Sequence, residues 1–466
     1  MTMVMFSFVG MMLVFVLVGI ASTRVSRTEV SDYLVASRSV SPWVAGLSAV
    51  ASNNSGFMFI GAIGFTYHYG LAAFWLFFAW LLGDYFSWLI VHRKLRARSE
   101  KQDNQSVTGF LAHDGHKMNQ ELQVILGALT VVFLTLYAAA QLKAGGKALQ
   151  STLHWQPEAG IYVGSVMVAV YSFAGGIRAS LWTDVAQSLV MLIAMGALVF
   201  VCHFNLHSVF EIYSALESYD STLVSWIPSD ASLGLFPYAF GWFLAGFGGI
   251  GQPHMIIRAM TIDDVEGIRT MRRVYFSWYL AFSILTMLVG LYARLHFEGV
   301  GEFSFDKETA LPMLANFHLS QFWVGLILAA LFAATMSTAD SQVLASSASL
   351  TQDIVPKYQH SYLASKLATL SVVILAVLVA LYGPSSVFVL VTLAWGLMMT
   401  TFAPLMIARV LDWHINVRKA LFAAICGLVA MLGWRYGLNL GDAMFEGSVG
   451  FIVSMSLTFL LKADEP

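Results

Sequence analysis

Charge is what this 466-residue chain has least of: Asp, Glu, Lys and Arg make up 11% of it, against about 25% in an ordinary soluble domain. A water-soluble globule needs a charged surface, so that class is excluded. Cysteine is almost absent. Cys202 and Cys426 fall in separate apolar runs, which excludes a disulfide framework and leaves two buried free thiols as the expectation. A net charge of −2 supplies no basic field for nucleic acid. What the chain does have is 58% hydrophobic residues, including 34 Phe, 17 Tyr and 13 Trp, and that content excludes disorder. The apolar character is uniform and leaves no polar stretch long enough for a separate domain. The expectation is a single all-α integral membrane unit over 1–466.

Apolar windows, most of about 20 residues and able to cross about 30 Å of hydrocarbon, fall at 4–22, 41–66, 71–91, 121–142, 158–176, 180–203, 234–257, 274–297, 321–347, 364–382, 386–408, 418–436 and 446–461. These predict about 13 transmembrane helices. The first has no basic leader and is longer than a signal core, so it reads as a retained span. Of the 25 Lys and Arg, all but Lys143, Lys147, Arg294, Lys307 and Arg435 fall on one side when the loops alternate. That bias places the N-terminus outside and the C-terminus in the cytoplasm of a cell membrane, the inner membrane where there are two.

Two spans are interrupted. The second carries Ser52, Asn53, Asn54, Ser55 and Gly56 at mid-membrane depth, and the seventh carries Gly246, Gly248, Gly249, Gly251 and Pro253. Lipid cannot satisfy freed backbone groups, so such breaks face protein or a wet cavity, where freed carbonyls suit a cation and half-helix N-termini an anion. Close packing by glycine and interhelical bonding by Ser and Asn is the plainer reading for either span alone. The breaks lie five spans apart, which predicts two five-helix units, 41–203 and 234–408. With an odd number of helices per unit, the second is inverted. The leading helix 4–22 precedes them and two C-terminal helices, 418–461, follow.

The ninth span adds Ala334, Ser337, Thr338 and Ser341 at i, i+3, i+4 and i+7 spacing, so three hydroxyls share one face beside Asp340. Oxygen donors of this kind suit Na⁺; hydroxyls bonded back to the preceding turn are the alternative. Asp84, Asp184 and Asp340 lie within spans, where a carboxylate needs a partner or water. Asp184 either pairs with Arg178 at headgroup level or lines an ion exit with Asp340. Asp84 reads as a structural or gate residue, and Lys143 and Lys147 as residues reaching for the interface. His113-Asp114-Gly115-His116 lacks a third fixed ligand and reads as a solvated loop.

These residues coincide with a known pattern. Asp32-Tyr33, Arg38, Pro42-Trp43, Leu47-Ser48-Ala49, Ala51-Ser52, Ser55-Gly56, Thr135-Leu136-Tyr137, Trp182-Thr183-Asp184, Gly251-Gln252-Pro253-His254, Arg258 and Met336-Ser337-Thr338 through Asp353 resemble the sodium:solute symporter family, most closely its bacterial sodium/proline branch. The resemblance implies a LeuT-like core of inverted repeats. It implies a sodium site formed by the carbonyls of Ala51, Asn54 and Ala334 with the hydroxyls of Ser337 and Thr338. A second cation position would fall at Asp184, Asp340 and Ser341, with Asp340 where some members carry serine. Substrate contacts match Ser55, Gly56, Tyr137 and Pro253. In the proline branch an aspartate stands at the position of Asn53, and a tryptophan and a tyrosine at those of Ala245 and Gly249. Losing those two walls is expected to enlarge or reshape the pocket.

The function expected is Na⁺-coupled secondary transport of a small polar solute, an amino acid such as proline or a related carboxylate, by a monomer in the lipid bilayer. No organic cofactor and no nucleic acid are expected. A proton-coupled symporter is the alternative, because Asn53 removes a carboxylate while Asp184 and Asp340 could carry protons. A sensory membrane module is less favoured, since no kinase follows Lys462. An enzyme is not expected, because no HExxH or GxSxG motif lies in a span.

Overall fold

The computed structural model describes residues 2–25, 27–113, 118–228, 231–297, 306–384 and 386–462. Among these residues there is no strand, only the isolated bridges Val40–Ile262 and His113–Met118. Nine helices among them are long and apolar enough to cross a membrane, and Pro157–Val170, Leu235–Gly251 and Glu446–Leu461 are shorter apolar helices. Together with the half-helix Pro42–Asn53, they account for the spans expected from hydropathy. The pair at 158–203 is one helix, Pro157–Asn205, divided at Gly176. Its φ of 58° and ψ of −144° suit glycine, and a Cβ there would stand 2.5 Å from the Tyr33 carbonyl oxygen.

Both expected interruptions are present. Span two begins with Pro42 in its first turn and runs to Asn53; Asn54 leaves helical geometry at ψ 69°. A π-turn over Phe57–Gly61 restarts the helix, which continues as Ala62–Tyr69. Span seven runs Leu235–Phe247, tightens over Gly248–Gly251, becomes extended at Gln252 and restarts at Pro253. Proline lacks the N–H that a helix start leaves unsatisfied anyway, so the restart costs no hydrogen bond.

Span nine, Gln321–Ala348, is buried continuously from Val324 onward. It packs against Gln120–Leu153, Pro157–Asn205 and Thr2–Ser22. Its continuation, the π-turn Ser349–Ile354, ends on buried Asp353, which accepts from Ser106 at 2.8 Å, Gln123 at 3.0 Å and the Thr108 hydroxyl. Tyr362–Tyr382 shows the opposite pattern, with Leu363, Leu367, Leu370, Ile374 and Leu378 exposed to the bilayer side.

The charged residues gather at the two ends. At one end Arg38 donates to the carbonyls of Ser99, Asn104 and Met260, Arg96 to that of Ile262, and Arg98 pairs with Asp412 at 2.6 Å. At the opposite end Lys147 pairs with Asp306 and Glu308, Arg435 with Glu446, and Lys143 donates to the Gly383 carbonyl. Two expectations need correction. Arg178 does not pair with Asp184 but with Asp32, at 2.5 Å, on the short helix Val30–Val35 between spans one and two. Arg258, counted among the loop charges, is 1% exposed and sits inside the bundle. Cys202 and Cys426 are both free, as expected, but only Cys202 is buried; Cys426 is half-buried. Residues 114–117 of the histidine loop lie outside the described residues, and no group of three or more His, Cys, Asp or Glu among the described residues could hold a metal.

Candidate cation and solute sites

The break in span two frees particular carbonyls. The Ser55 N–H turns to Asn53 O at 3.0 Å and the Met58 N–H to Ser55 O at 3.0 Å. Ala51 O and Asn54 O thereby lose the i+4 donors that a continuous helix would give them. Facing them is the hydroxyl side of span nine. Thr338 Oγ1 donates to Ser52 O at 2.9 Å, and the Ser52 and Ser341 hydroxyls are 3.0 Å apart. Gly56 lets the two spans close: a Cβ there would stand 2.7 Å from Thr335 Cγ2. Ser337 is fully buried, and its hydroxyl faces the Asp184 carboxylate without reaching hydrogen-bond distance of any acceptor. An unpaired buried hydroxyl costs about 1–3 kcal/mol, a cost that a bound cation would offset. Ser341, by contrast, bonds back to Ser337 O at 2.6 Å, the plainer behaviour of a helix hydroxyl.

Asp184 and Asp340, both 0% exposed, lie beside this cluster. Ser48 donates to Asp184 Oδ2 at 2.5 Å; Ser180 stands 3.4 Å from that oxygen and 3.2 Å from Asp340 Oδ1, so its single proton serves one or the other. Ser341 reaches Asp340 Oδ1 at 3.1 Å. Arg258 enters from the second half of span seven. It donates to Ser48 at 3.2 Å, Ser180 at 3.1 Å and the Ser341 hydroxyl, and stands 3.5 Å from Asp184. With both carboxyls ionised, the single guanidinium of Arg258 leaves one negative charge for a cation or a proton to offset. Asp184 Oδ1 and Asp340 Oδ2 have no hydrogen-bond partner. The predicted second-cation residues thus come together, but around an internal arginine that counting loop charges had placed elsewhere.

The central cavity beside the break in span two has a volume of about 20 Å³, room for about one water. Of the predicted solute contacts it includes Tyr137; Asn53, Phe57, Trp80, Tyr279 and Trp395 also line it. Ser55, Gly56, Ala245, Gly249 and Pro253 are not among its lining residues. The Gly56 N–H, the freed N-terminus of the second half of span two, is taken by Gln141 Oε1 at 2.9 Å, and Ser55 Oγ accepts from Phe57 N at 3.1 Å. Ala245 is fully buried and its carbonyl accepts from the Trp395 indole at 2.9 Å. Trp395, which makes that bond, and Trp80, 4.8 Å from it ring to ring, supply aromatic walls from spans eleven and three. Pro253 starts its half-helix next to His254, whose buried ring stands edge-on to Tyr137 at 5.5 Å.

An aromatic partition separates this cavity from a larger one, about 350 Å³, that opens towards the end carrying Glu308 and Glu446. Phe57, Trp80 and Trp395 line the small cavity; Phe65, Trp242 and Phe388 line the large one. The two sets touch through Phe57–Phe388 at 5.4 Å and Trp80–Trp242 at 6.1 Å. Span composition alone could not find this partition. Its members come from spans two, three, seven and eleven, and aromatics abound in every span; only the fold shows which of them meet.

The high-affinity proline transporter PutP of Bacillus subtilis (strain 168) is 28% identical over 443 residues, 93% of each chain. A sodium/proline symporter of Staphylococcus aureus (strain bovine RF122 / ET3-1) is 28% identical over 97% of this chain and 90% of its own. Among solved structures, a Na⁺-coupled sialic acid symporter in a substrate-bound outward-open state matches 98% of this chain and 97% of its own, with TM-score 0.79 at 19% identity. A nucleobase-cation-symport-1 family transporter in a closed conformation matches 92% and 93%, with TM-score 0.57 at 15% identity. The overall fold is LeuT-like. With the model of the "Sodium:solute symporter family" matching residues 33–427, the chain belongs to that family.

Proposed function

We propose that this protein imports a small polar solute, an amino acid such as proline or a related carboxylate, together with Na⁺ bound between spans two and nine. The observation that carries this reading is that the break freeing the carbonyls of Ala51 and Asn54 lies against the buried hydroxyl face of span nine, where Thr338 donates to Ser52 O and Ser337 shares the face with Ala334. Na⁺ there bridges the broken helix to the continuous one and stabilises the arrangement in which the aromatic cavity accepts solute. The coupling is the difference in solute affinity between the states with and without the ion. One Na⁺ moving through 100 mV contributes about 2.3 kcal/mol, or roughly 50-fold accumulation of a neutral solute. The arginine-rich end is cytoplasmic in this reading, with the N-terminus outside, and the core is two inverted repeats, 41–203 and 234–408. The monomer is the working unit.

The uncompensated charge at Asp184, Asp340 and Arg258 favours one further cation, either a second Na⁺ with Ser341 or a proton. Uptake into proteoliposomes tests both readings, using a panel of amino acids, carboxylates and sugars under either a Na⁺ or a pH gradient. Uptake that follows the Na⁺ gradient supports the assignment. Uptake driven by the pH gradient and indifferent to Na⁺ would replace it with proton coupling.

A further inference from the structure

Asp84 on span three lines neither cavity, yet it is 2% exposed and, among the described residues, forms no ion pair with Lys, Arg or His. Its side-chain oxygens face donors. The Tyr275 hydroxyl donates to Asp84 Oδ2 at 2.6 Å and the Trp88 indole N–H faces the carboxyl, while Ser87, 3.3 Å from Oδ1, gives its proton to the Asp84 main-chain carbonyl at 2.7 Å. The 2.6 Å separation and this direction make Asp84 the acceptor of the pair. Tyr275 has one proton, and the carboxylate takes it. The Tyr275 oxygen can therefore only accept from its other neighbour, Asn53 Nδ2, at 2.7 Å. That fixes which way the Asn53 amide points: its N–H₂ faces Tyr275, and its carbonyl oxygen is directed to the cavity that Asn53 lines, on the side of the Tyr279 hydroxyl. A Cβ built on Gly249 would stand 3.4 Å from Asp84 Oδ1, so the same carboxylate abuts the break in span seven.

We infer that Asp84 sets the polarity of the solute cavity through Tyr275 and Asn53, so that the cavity selects solutes carrying an ammonium or secondary amine. The inference rests on the reading of the aromatic cavity as the solute site and narrows its substrate class. A polarised carbonyl acceptor among Phe57, Trp80, Tyr137, Tyr279 and Trp395 suits a cationic N–H donor, which also gains from aromatic faces. Asp84 and Tyr275 are positioning residues here; Asn53 is the group that meets solute.

The test uses Na⁺-driven uptake by the full chain in proteoliposomes, with amine solutes paired against deaminated isosteres: L-proline against cyclopentanecarboxylate, L-leucine against isocaproate. Wild type is expected to prefer the amine member by at least about tenfold in KM, the worth of one charged hydrogen bond. Asp84→Asn is expected to lose most of that preference while the Na⁺ concentration for half-maximal uptake stays within about twofold. Tyr275→Phe, which removes only a hydroxyl, is expected to do the same and serves if Asp84→Asn does not fold. Asn53→Asp in the Asp84→Asn background, which puts the carboxylate directly at the cavity, is expected to restore the preference. A preference unchanged in Tyr275→Phe, equal losses for both members of a pair, or a wild type that favours the deaminated member would each overturn the inference. An amine preference that persists while uptake ignores Na⁺ would overturn the sodium reading and leave this one standing.

Discussion

Ser337 and Thr338 are adjacent on span nine but differ in what they already do. Thr338 holds Ser52 O at 2.9 Å, whereas the Ser337 hydroxyl faces Asp184 without closing a hydrogen bond. Thr338→Ala is therefore expected to cost about 0.5–1.5 kcal/mol of stability, read as a lower melting temperature in detergent. Ser337→Ala is expected to leave that temperature unchanged or raise it, yet to raise the Na⁺ concentration for half-maximal uptake by at least about tenfold. Asp32, outside the spans, behaves differently. Partial burial raises its carboxyl, but donors from Arg178, the Arg27 N–H and Ser37 outweigh this and hold it below the usual carboxylate range. Its contribution to stability is fully present above that range and is lost as pH falls below it, through the depressed folded-state value. Asp32→Asn should flatten the acid limb of a melting-temperature profile; an unchanged limb would refute the role. At this scale the sequence showed which oxygens face one way, because helical spacing dictates it. It did not show which were already bonded, since Ser337 and Ser341 look alike until span two is packed beside them. Nor did it place Arg258, whose partners come from spans two, six and nine.

The glycines of span seven show how an element can be read two ways from composition. Gly246 is a packing residue: a Cβ would stand 1.9 Å from the Trp80 carbonyl oxygen, and on span three one at Gly83 would stand 1.8 Å from that of Phe243. Gly251 likewise approaches Met398 O, within 3.0 Å, while Gly249 meets only the Asp84 carboxylate and Met255 at the edge of contact. The plainer reading therefore holds for Gly246 and Gly251, and the span is nonetheless interrupted. Gly246→Ala should abolish or strongly reduce folded protein, since overpacking a close backbone contact costs about 1–3 kcal/mol or more. Gly196→Ala, with no neighbour within 4 Å, serves as the neutral control, and fluorescence size-exclusion yield checks both. Span positions and both breaks were legible because hydropathy and mid-span Ser, Asn and Gly are properties of consecutive residues. The short helices Val30–Val35 and Ala310–His318 were not, being too brief to show a period. The partition around Trp80 and Trp242 escaped for another reason: removing aromatics at 245 and 249 was read in isolation, while Trp395 supplies a ring from span eleven.

For the whole molecule, the charged residues gather at two ends of the fold, and the proposal that the arginine-rich end is cytoplasmic rests on the sidedness of Lys and Arg. In a Cys202→Ser, Cys426→Ser background, Asp412→Cys should react with a membrane-impermeant maleimide only after permeabilisation, and Tyr436→Cys in intact cells. The reverse pattern would invert the topology and with it the direction of import. In the proposed reading solute reaches the 20 Å³ cavity past the aromatic partition, so its entry calls for those side chains to part. The claim on which the rest depends is that Na⁺ crosses with the solute by way of the site between spans two and nine. The direct measurement is the flux of labelled sodium that accompanies solute into proteoliposomes, compared between wild type and the combined Ser337→Ala, Thr338→Ala variant at one subsaturating Na⁺ concentration. The account predicts solute-dependent sodium entry in wild type and its loss, together with solute uptake, in the variant. Solute uptake without sodium entry in wild type, or equal sodium entry in both proteins, would contradict it.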